Sequence, residues 1–243
     1  PLYQRSLIVF GGPLANFLLA LVIFFSIYTF VGKDFTPAVI NEVQKDSPAM
    51  TGGLKQNDVI LEIDGNKVES IMDVSKFITM STDEIIDFKV KRSYDELILK
   101  IKPNIVPGED NLGNKLNKRI VGIKLGAYNN EINHVKLGPA QAIYHAAHEV
   151  YYVGVSSLKY IGAMIFGKAD TSQLGGPIRI AKISGQVAEF GVLAFISMMA
   201  YISISLGLVN LFPIPMLDGG HLMFYAFEKV LGRPLSQNTQ EGF

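Results

Sequence analysis

Hydrophobic and polar positions divide this chain into long apolar runs and a middle part of short alternating segments. Residues 7–31 carry no charged side chain, and neither do residues 190–217. As a helix, the first run would be about 37 Å long, which is enough to cross a bilayer with some tilt. In the second run we predict a membrane helix over residues 190–211.

Small and polar residues interrupt the first apolar run. Gly11, Gly12 and Ala15 would allow another backbone to approach closely. Pro13 and Asn16 add a distortion and a polar group at membrane depth. We therefore expect this helix to pack tightly against a partner helix. The alternative, a cleaved signal peptide, would have a shorter apolar core and a basic start.

Residues 35–104 have the alternating polarity and turn residues of a small strand-rich domain. Ser70 and Asp73 form a capping box that predicts a helix from Ile71 to about Met80. Ser47, followed by a proline, predicts the start of a shorter helical turn. The predicted strands are 39–43, 59–63, 67–68, 85–90 and 97–101.

This segment resembles a PDZ domain of the bacterial protease-associated type. The resemblance is carried by Ser47-Pro48-Ala49, Gly53-Leu54, Asp58-Val59-Ile60, and Asp64-Gly65 with Val68. PDZ domains bind an extended peptide or chain terminus beside a sheet edge. The resemblance implies a groove at Val39 and Ile40, facing the helix over residues 71–80. A place in the hydrophobic core is the alternative for Val39.

Two further segments lead to the second membrane helix. Residues 105–137 are predicted to form a surface loop and then a strand over 119–125. Residues 138–189 are predicted to form an amphipathic or membrane-associated helical region, with its tyrosines at the level of the lipid headgroups. His145, His148 and Glu149 lie in that region, but their order differs from His-Glu-x-x-His, so a polar helix face is favoured over a metal site.

The composition narrows the possible functions. The net charge is zero and no charged block occurs, so nothing points to a nucleic-acid partner. Cysteine is absent, so any metal in this chain must be bound by His, Asp or Glu. No Gly-x-Ser-x-Gly motif occurs, which disfavours a serine hydrolase. We predict an α+β protein: a multi-span α-helical membrane protein with an inserted, small, β-rich PDZ-like domain.

Asp218 is the main candidate for chemistry, because it directly follows the uncharged run over residues 190–217. An Asp near hydrocarbon costs on the order of 3 kcal/mol, so it suggests a functional site. Pro213 and Pro215 stop a helix just before it, and Asn210 offers an amide one turn earlier. The alternative is a polar turn where a helix leaves the membrane. His221 follows a flexible Gly-Gly pair and is left off the ligand set.

Three motifs in this order resemble the site-2 protease family, and most closely its regulator of sigma-E protease branch. They are Gly12-Pro13-Leu14-Ala15-Asn16-Phe17, Gly176-Pro177-Ile178, and the Asn210–Gly220 stretch with its two prolines and Asp218-Gly219-Gly220. The resemblance covers essentially the whole chain. It implies an intramembrane zinc metalloendopeptidase that performs regulated intramembrane proteolysis.

By that resemblance, residues in the last segment, 190–243, take on specific roles. Asp218 matches the third zinc ligand of the family. Asn210 matches an asparagine near the substrate, and Pro213 and Pro215 belong to the same substrate-binding stretch. The PDZ-like domain would filter or sense substrates on the extracytoplasmic side.

The resemblance also implies a location and partners. The location is the bacterial inner membrane, with the first segment, residues 1–34, as a transmembrane helix of a multi-pass protein. The substrate would be a membrane-embedded protein similar to an anti-sigma factor, or the remnant of a signal peptide. A peptide or chain terminus at the PDZ groove and the lipid bilayer complete the expected partners.

One feature of the family is missing from this sequence. The His-Glu-x-x-His helix, with two zinc ligands and the general base, is expected before Pro1. We therefore expect the chain to be a fragment that by itself binds zinc poorly and cleaves nothing. The alternative function is a non-catalytic, membrane-anchored PDZ adaptor. A transport component ranks last, because the chain has no internal repeat.

Overall fold

The computed structural model describes residues 2–109, 115–127, 132–167, 177–214 and 216–231. These residues form two compact units. The helical unit lies within Pro1–Thr29, Gly138–Leu158 and Gln186–Phe243, and the β-rich unit lies within Phe30–Leu137 and Lys159–Gly185. The antiparallel strands lie within residues 33–135 together with two short helices, and the long helices lie outside that stretch, which confirms the predicted α+β class.

The described residues contain seven α-helices and ten strands. The helices are α1 (Leu2–Ser26), α2 (Pro48–Thr51), α3 (Ile71–Met80), α4 (Pro139–Ile165), α5 (Pro177–Glu189), α6 (Val192–Asn210) and α7 (Asp218–Leu231). The strands are β1 (Lys33–Asp34), β2 (Ala38–Val43), β3 (Val59–Ile63), β4 (Asn66–Lys67), β5 (Ile86–Arg92), β6 (Asp95–Ile101), β7 (Asn104–Glu109), β8 (Lys115–Ile120), β9 (Ile123–Gly126) and β10 (His134–Val135).

Two of the described helices are long and apolar enough to cross a membrane. One is α1, which continues through a π-helical turn, Ile27–Val31. The other is α6, whose limits lie within two residues of the predicted 190–211. These are the two apolar runs of the sequence, and α1 begins at Leu2, five residues before its run of uncharged residues.

The helical unit has a hydrophobic core made by three helices. Its fully buried residues come from α1, α4 and α6: Ala20, Phe24, Ala146, Val153, Ala200, Ile204 and Leu208. The contribution of α4 is a stripe of buried residues at helical spacing: Ala142, Ala146, Glu149, Val153, Gly154 and Ser156. The first half of α4 is therefore packed against the two apolar helices.

Helices α1 and α6 approach each other closely at Gly207. A Cβ atom added to Gly207 would lie 3.2 Å from the Phe17 ring and 3.2 Å from the Pro13 carbonyl oxygen. The glycine that permits this contact is on α6, whereas an added Cβ at Gly11 meets no atom within 4 Å. The close approach expected around Gly11 is therefore not made there within the described structure.

The β-rich unit is organised around one antiparallel sheet. Its strand order is β6-β5-β3-β2-β9, and β4 pairs with β3 at the side. The pairs β1–β10 and β7–β8 form separate two-stranded sheets. Within the central sheet, β2 lies between β3 and β9, so the outer strands of this path are β6 and β9.

Local signals in the sequence explain the elements of this unit. The Ser47 hydroxyl accepts a hydrogen bond from the Met50 amide at the start of α2. Ser70 and Asp73 form the predicted capping box of α3. Asp64 and Gly65 have φ angles of 49° and 74°, which suit the tight turn between β3 and β4. These short-range preferences agree with the tertiary fold.

An ion pair between a buried Asp58 and a partly exposed Arg92 lies beside the apolar core of the sheet. Asp58 is 1% exposed. Its two carboxylate oxygens accept hydrogen bonds from Arg92, from Nε at 2.7 Å and from Nη2 at 2.8 Å. The same Nη2 donates to the Gly53 carbonyl at 2.7 Å. This bidentate pair joins the end of β5 to the loop before β3.

The segment after β6 differs from the sequence prediction. Residues 104–109 and 115–120 form a hairpin, and β9 follows as a separate strand that joins the central sheet. The predicted surface loop and single strand over 119–125 are therefore wrong in detail. The hairpin is paired only with itself and is rich in polar residues, so its sequence lacks the apolar alternation of a sheet strand.

Candidate functional site

The candidate site is the tight turn that joins α6 to α7. Helix α6 ends at Asn210, and the Leu211 amide donates to the Leu208 carbonyl at 3.0 Å. The Ile214 amide then donates to the Phe212 carbonyl at 2.7 Å. Helix α7 begins at Asp218 itself. The break predicted from the prolines thus separates two helices and places the acid in the first turn of the second.

Gly219 allows this turn to close. A Cβ atom at this position would lie 2.3 Å from the Leu211 carbonyl oxygen and 2.3 Å from that of Phe212. Such a contact cannot be relieved by moving a side chain, because both oxygens belong to the backbone. Gly219 and Gly220 are helical and buried, so the flexible link suggested by the sequence is corrected to a packed first helical turn.

The carboxylate of Asp218 approaches α1. If Gly12 had a Cβ atom, that atom would lie 2.7 Å from Asp218 Oδ2 and 3.7 Å from Asp218 Cγ. Asp218 is partly exposed. An acid at the first position of a helix is also favoured by the helix dipole. The turn and the glycine of α1 together define where this carboxylate lies.

The structure places the other predicted residues of this stretch around the same turn. Asn210 is half-buried at the end of α6, and Pro213 is exposed within the turn. Pro215 lies outside the described residues. Asn210 and Pro213 thus lie in the segment that leads from α6 to Asp218, and their contact with a substrate stays a prediction.

The residues present fit a metal only in part. Across the described ranges, no three His, Cys, Asp or Glu side chains come together in a way that could hold a metal ion. His221 is exposed on α7. His145 and His148 lie on α4, where both contact the Tyr144 ring. Asp218 is thus one donor of a type that suits zinc, and the described residues supply no complete donor set.

The structure reveals a buried acid whose position the sequence did not predict. Glu149 is 7% exposed and accepts a hydrogen bond of 3.0 Å from the Tyr201 hydroxyl of α6. The Tyr201 ring packs edge-on against Phe24 of α1. Glu149 therefore belongs to the inner face of α4, not to a polar outer face. Its spacing from Ala142, Ala146 and Val153 is the signal that could have indicated this.

The predicted peptide groove at Val39 and Ile40 is not accessible in this fold. These side chains are 6% and 0% exposed. Their strand, β2, is hydrogen-bonded to β3 on one side and to β9 on the other. An added strand needs a free edge. Val39 and Ile40 thus belong to the core, and the outer strands of the sheet are β6 and β9.

Known proteins are similar to this chain over nearly its full length. The family model described as "Peptidase family M50" matches residues 1–243. A protein of Agrobacterium fabrum named "Putative zinc metalloprotease Atu1380" is 38% identical over 240 residues, covering 99% of this chain and 64% of that protein. "Zinc metalloprotease RasP" of Geobacillus kaustophilus is 32% identical over 239 residues, covering 98% of this chain and 53% of that protein. The chain thus spans less than two thirds of the length of these relatives.

Solved structures show similarity to part of the chain. The PDZ domain of the SdrC-like protein from Listeria monocytogenes aligns with 37% of this chain and 88% of its own length, at 24% identity and a TM-score of 0.29. The corresponding PDZ domain from Listeria innocua aligns with 39% of this chain and 99% of its own length, at 23% identity and a TM-score of 0.30.

Proposed function

Because the chain belongs to peptidase family M50, we propose that the protein is a zinc metalloendopeptidase that cleaves membrane-embedded segments of other proteins. This chain supplies one wall of the active site. The observation that carries the proposal is the α6–α7 turn, which holds the Asp218 carboxylate close to Gly12 of the apolar helix α1. An acid in that setting is costly unless it binds something.

Asp218 is the zinc ligand that this chain contributes. Catalytic zinc sites use three protein ligands and keep one position open. When bound, zinc lowers the pKa of a water molecule towards about 7 and so supplies the nucleophile for peptide hydrolysis. We expect the remaining ligands and the general base on a His-Glu-x-x-His helix elsewhere in the full-length protein. The role of Asp218 is to present one carboxylate oxygen at a constant position.

Asn210 and Pro213 are the residues that we assign to the substrate. A peptide bond can be attacked only when the substrate backbone is unwound, and an unwound backbone needs hydrogen-bond partners at membrane depth. The Asn210 amide can donate and accept. Pro213 is exposed in the turn that precedes Asp218, where no helix occupies the backbone. Pro215 shares this assignment from its sequence position alone.

The β-rich unit is proposed to bind a peptide or chain terminus at β9. This strand is an outer strand of the sheet, and α3 packs against β2, which pairs with β9, and against β3 and β8. An extended peptide would add to the outer edge of β9 by main-chain hydrogen bonds. Hydrogen exchange of the full-length protein should then show peptide-dependent protection at Ile123–Gly126. Protection at β6 instead would contradict this assignment.

The location and substrates follow from the same proposal. Two helices that can span a membrane support an integral membrane protein, and we assign it to the bacterial inner membrane with the β-rich unit on the extracytoplasmic side. The substrate class is a membrane-embedded regulatory protein, similar to an anti-sigma factor, or the remnant of a signal peptide. The β-rich unit would admit or sense such substrates before cleavage.

The function is tested with the full-length protein in detergent or vesicles. Asp218→Asn should abolish cleavage of a reconstituted transmembrane substrate and reduce bound zinc, because an amide is a poorer metal ligand than a carboxylate. Asp95→Asn makes the same chemical change in an exposed strand and should leave both unchanged. If Asp218→Asn cleaves the substrate at the wild-type rate, the proposed role of Asp218 is excluded. If the wild-type protein binds substrates but neither it nor Asp218→Asn cleaves them, the protein acts as a membrane-anchored adaptor instead.

A further inference from the structure

Gly12 and Asp218 lie unusually close together for residues on different helices. Gly12 is in α1 and Asp218 begins α7. An ideal Cβ at Gly12 would lie 2.7 Å from Asp218 Oδ2. Real Cβ atoms essentially never have a neighbour at that distance. The carboxylate therefore occupies space that is open only because residue 12 has no side chain.

The neighbouring glycines show that this is a property of Gly12 alone. A Cβ at Gly11 would meet no described atom within 4 Å. A Cβ at Gly219 would collide with the backbone oxygens of Leu211 and Phe212. A methyl group at residue 12 meets instead the far end of a side chain, which can rotate away. An added methyl group should therefore be harmless at Gly11 and should disturb the fold at Gly219. At Gly12 it should move only the Asp218 carboxylate.

We propose that Gly12 is a positioning residue for the Asp218 carboxylate, and hence for the metal ligand that this carboxylate provides. This inference rests on the proposed function of Asp218. Ligand atoms of a zinc site must lie within about 0.2 Å of their ideal distances. Relieving the 2.7 Å contact to an ordinary separation of 3.4 Å moves the Asp218 oxygen by about 0.7 Å, which exceeds this tolerance. A larger residue at position 12 thus weakens zinc binding without touching the zinc.

Helix propensity makes the proposal testable against a purely structural role. Alanine is a better helix former than glycine, but position 12 lies within α1 directly before Pro13, where a Cβ atom meets the proline ring. These two effects oppose each other, so Gly12→Ala should leave the thermal stability of the zinc-free protein close to the wild-type value. The same variant should bind zinc less tightly. Weaker zinc binding together with wild-type stability is not expected of a glycine that only permits helix packing.

The experiment compares Gly12→Ala and the matched control Gly11→Ala in the full-length protein. Zinc affinity is measured by competition with a chelator, and cleavage as kcat/KM on a transmembrane substrate. For Gly12→Ala we expect at least about tenfold weaker zinc binding and up to about 100-fold slower cleavage, since a misplacement of about 1 Å can cost that much. For Gly11→Ala we expect wild-type values. Unchanged zinc affinity in Gly12→Ala, or an equal loss in Gly11→Ala, would overturn the proposal.

A cross-link tests the geometry without metal or activity. This chain contains no cysteine, so Gly12→Cys with Asp218→Cys introduces one defined pair once any cysteine elsewhere in the full-length protein is replaced by serine. The position of Asp218 Cγ, which a sulfur atom would take, is 3.7 Å from the ideal Cβ of residue 12. Mild oxidation should form a disulfide in this pair and not in the pair Gly11→Cys with Asp218→Cys. No disulfide in the first pair would overturn the proposal.

The two proposals fail in distinguishable ways. If Asp218→Asn cleaves normally, the proposed function of Asp218 is wrong, whatever Gly12 does. If Asp218→Asn is inactive and zinc-poor while Gly12→Ala behaves as Gly11→Ala does, only the positioning role of Gly12 is wrong. A positive cross-link with unchanged zinc binding in Gly12→Ala would likewise reject the positioning role while confirming the proximity.

Discussion

The hydroxyl of Ser203 on α6 donates a hydrogen bond of 2.8 Å to the main-chain carbonyl of Asn16 on α1. Ser203 is buried, and Asn16 lies three residues after the helical proline Pro13. This bond joins the two helices that are long and apolar enough to span a membrane. It lies one turn of α6 from Gly207, where an added Cβ atom would lie 3.2 Å from α1.

Ser203→Ala should destabilise the helical unit modestly. Hydrogen bonds between membrane helices contribute on average about 0.6 kcal/mol. Ser205→Ala is the matched control, because the Ser205 hydroxyl bonds to the Tyr201 carbonyl of its own helix and is exposed. Unfolding in detergent should show a loss for the first variant and none for the second. Equal behaviour of the two would show that the interhelical bond contributes nothing measurable.

Gly207→Ala should push α1 and α6 apart. The added methyl group would lie 3.2 Å from the Phe17 ring and from the Pro13 carbonyl oxygen, and neither can move freely in the packed core. Overpacking of this kind costs about 2 kcal/mol. Gly154→Ala serves as the control, since its added methyl group meets no described atom within 4 Å. If the two variants unfold at the same temperature, the close approach of α1 and α6 at Gly207 would be contradicted.

Gly219→Ala should damage the turn between α6 and α7 itself. Its methyl group would lie 2.3 Å from two backbone oxygens, so the chain must shift, at a cost of about 3 kcal/mol. We expect lower thermal stability together with loss of zinc binding. Gly12→Ala, by contrast, is expected to weaken zinc binding without lowering the thermal stability. A Gly219→Ala protein with wild-type stability would show that the turn tolerates a different backbone path.

Asp58→Ala should destabilise the β-rich unit strongly. It leaves Arg92 without the carboxylate that accepts two of its hydrogen bonds, and breaking a buried pair in this way costs about 3 kcal/mol. Hydrogen bonding to Asp58 raises the pKa of Arg92 above its usual value, so the arginine's share of this stability is fully present throughout the neutral pH range.

The control for Asp58→Ala is Glu84→Ala. Glu84 pairs with Lys102 at an exposed position, and exposed pairs contribute little to stability. Denaturant unfolding should show a clear loss for Asp58→Ala and no measurable change for Glu84→Ala. A small effect of Asp58→Ala would mean that water reaches Arg92 readily once the carboxylate is gone.

Much of the local structure was predictable because short-range interactions determine it. The capping residues Ser47 and Ser70 begin their helices as predicted, and β3 has the predicted limits Val59–Ile63. The apolar runs became α1 and α6, because their length and lack of charge leave few alternatives. The family resemblance was visible in the motifs around Asn16 and Asp218, and the family match over residues 1–243 confirms it.

The sequence by itself determined the fold class, most elements of the β-rich unit, and Asp218 as the acid worth testing. Only the tertiary structure decided which atoms meet. It placed Glu149 against Tyr201, enclosed Val39 between two strands, and brought the Asp218 carboxylate to Gly12. The physical reason is that helix caps and apolar periodicity act within a few residues of the chain. Contacts between residues as far apart as 12 and 218 depend on how whole helices pack. A sequence pattern of a few residues does not determine that packing.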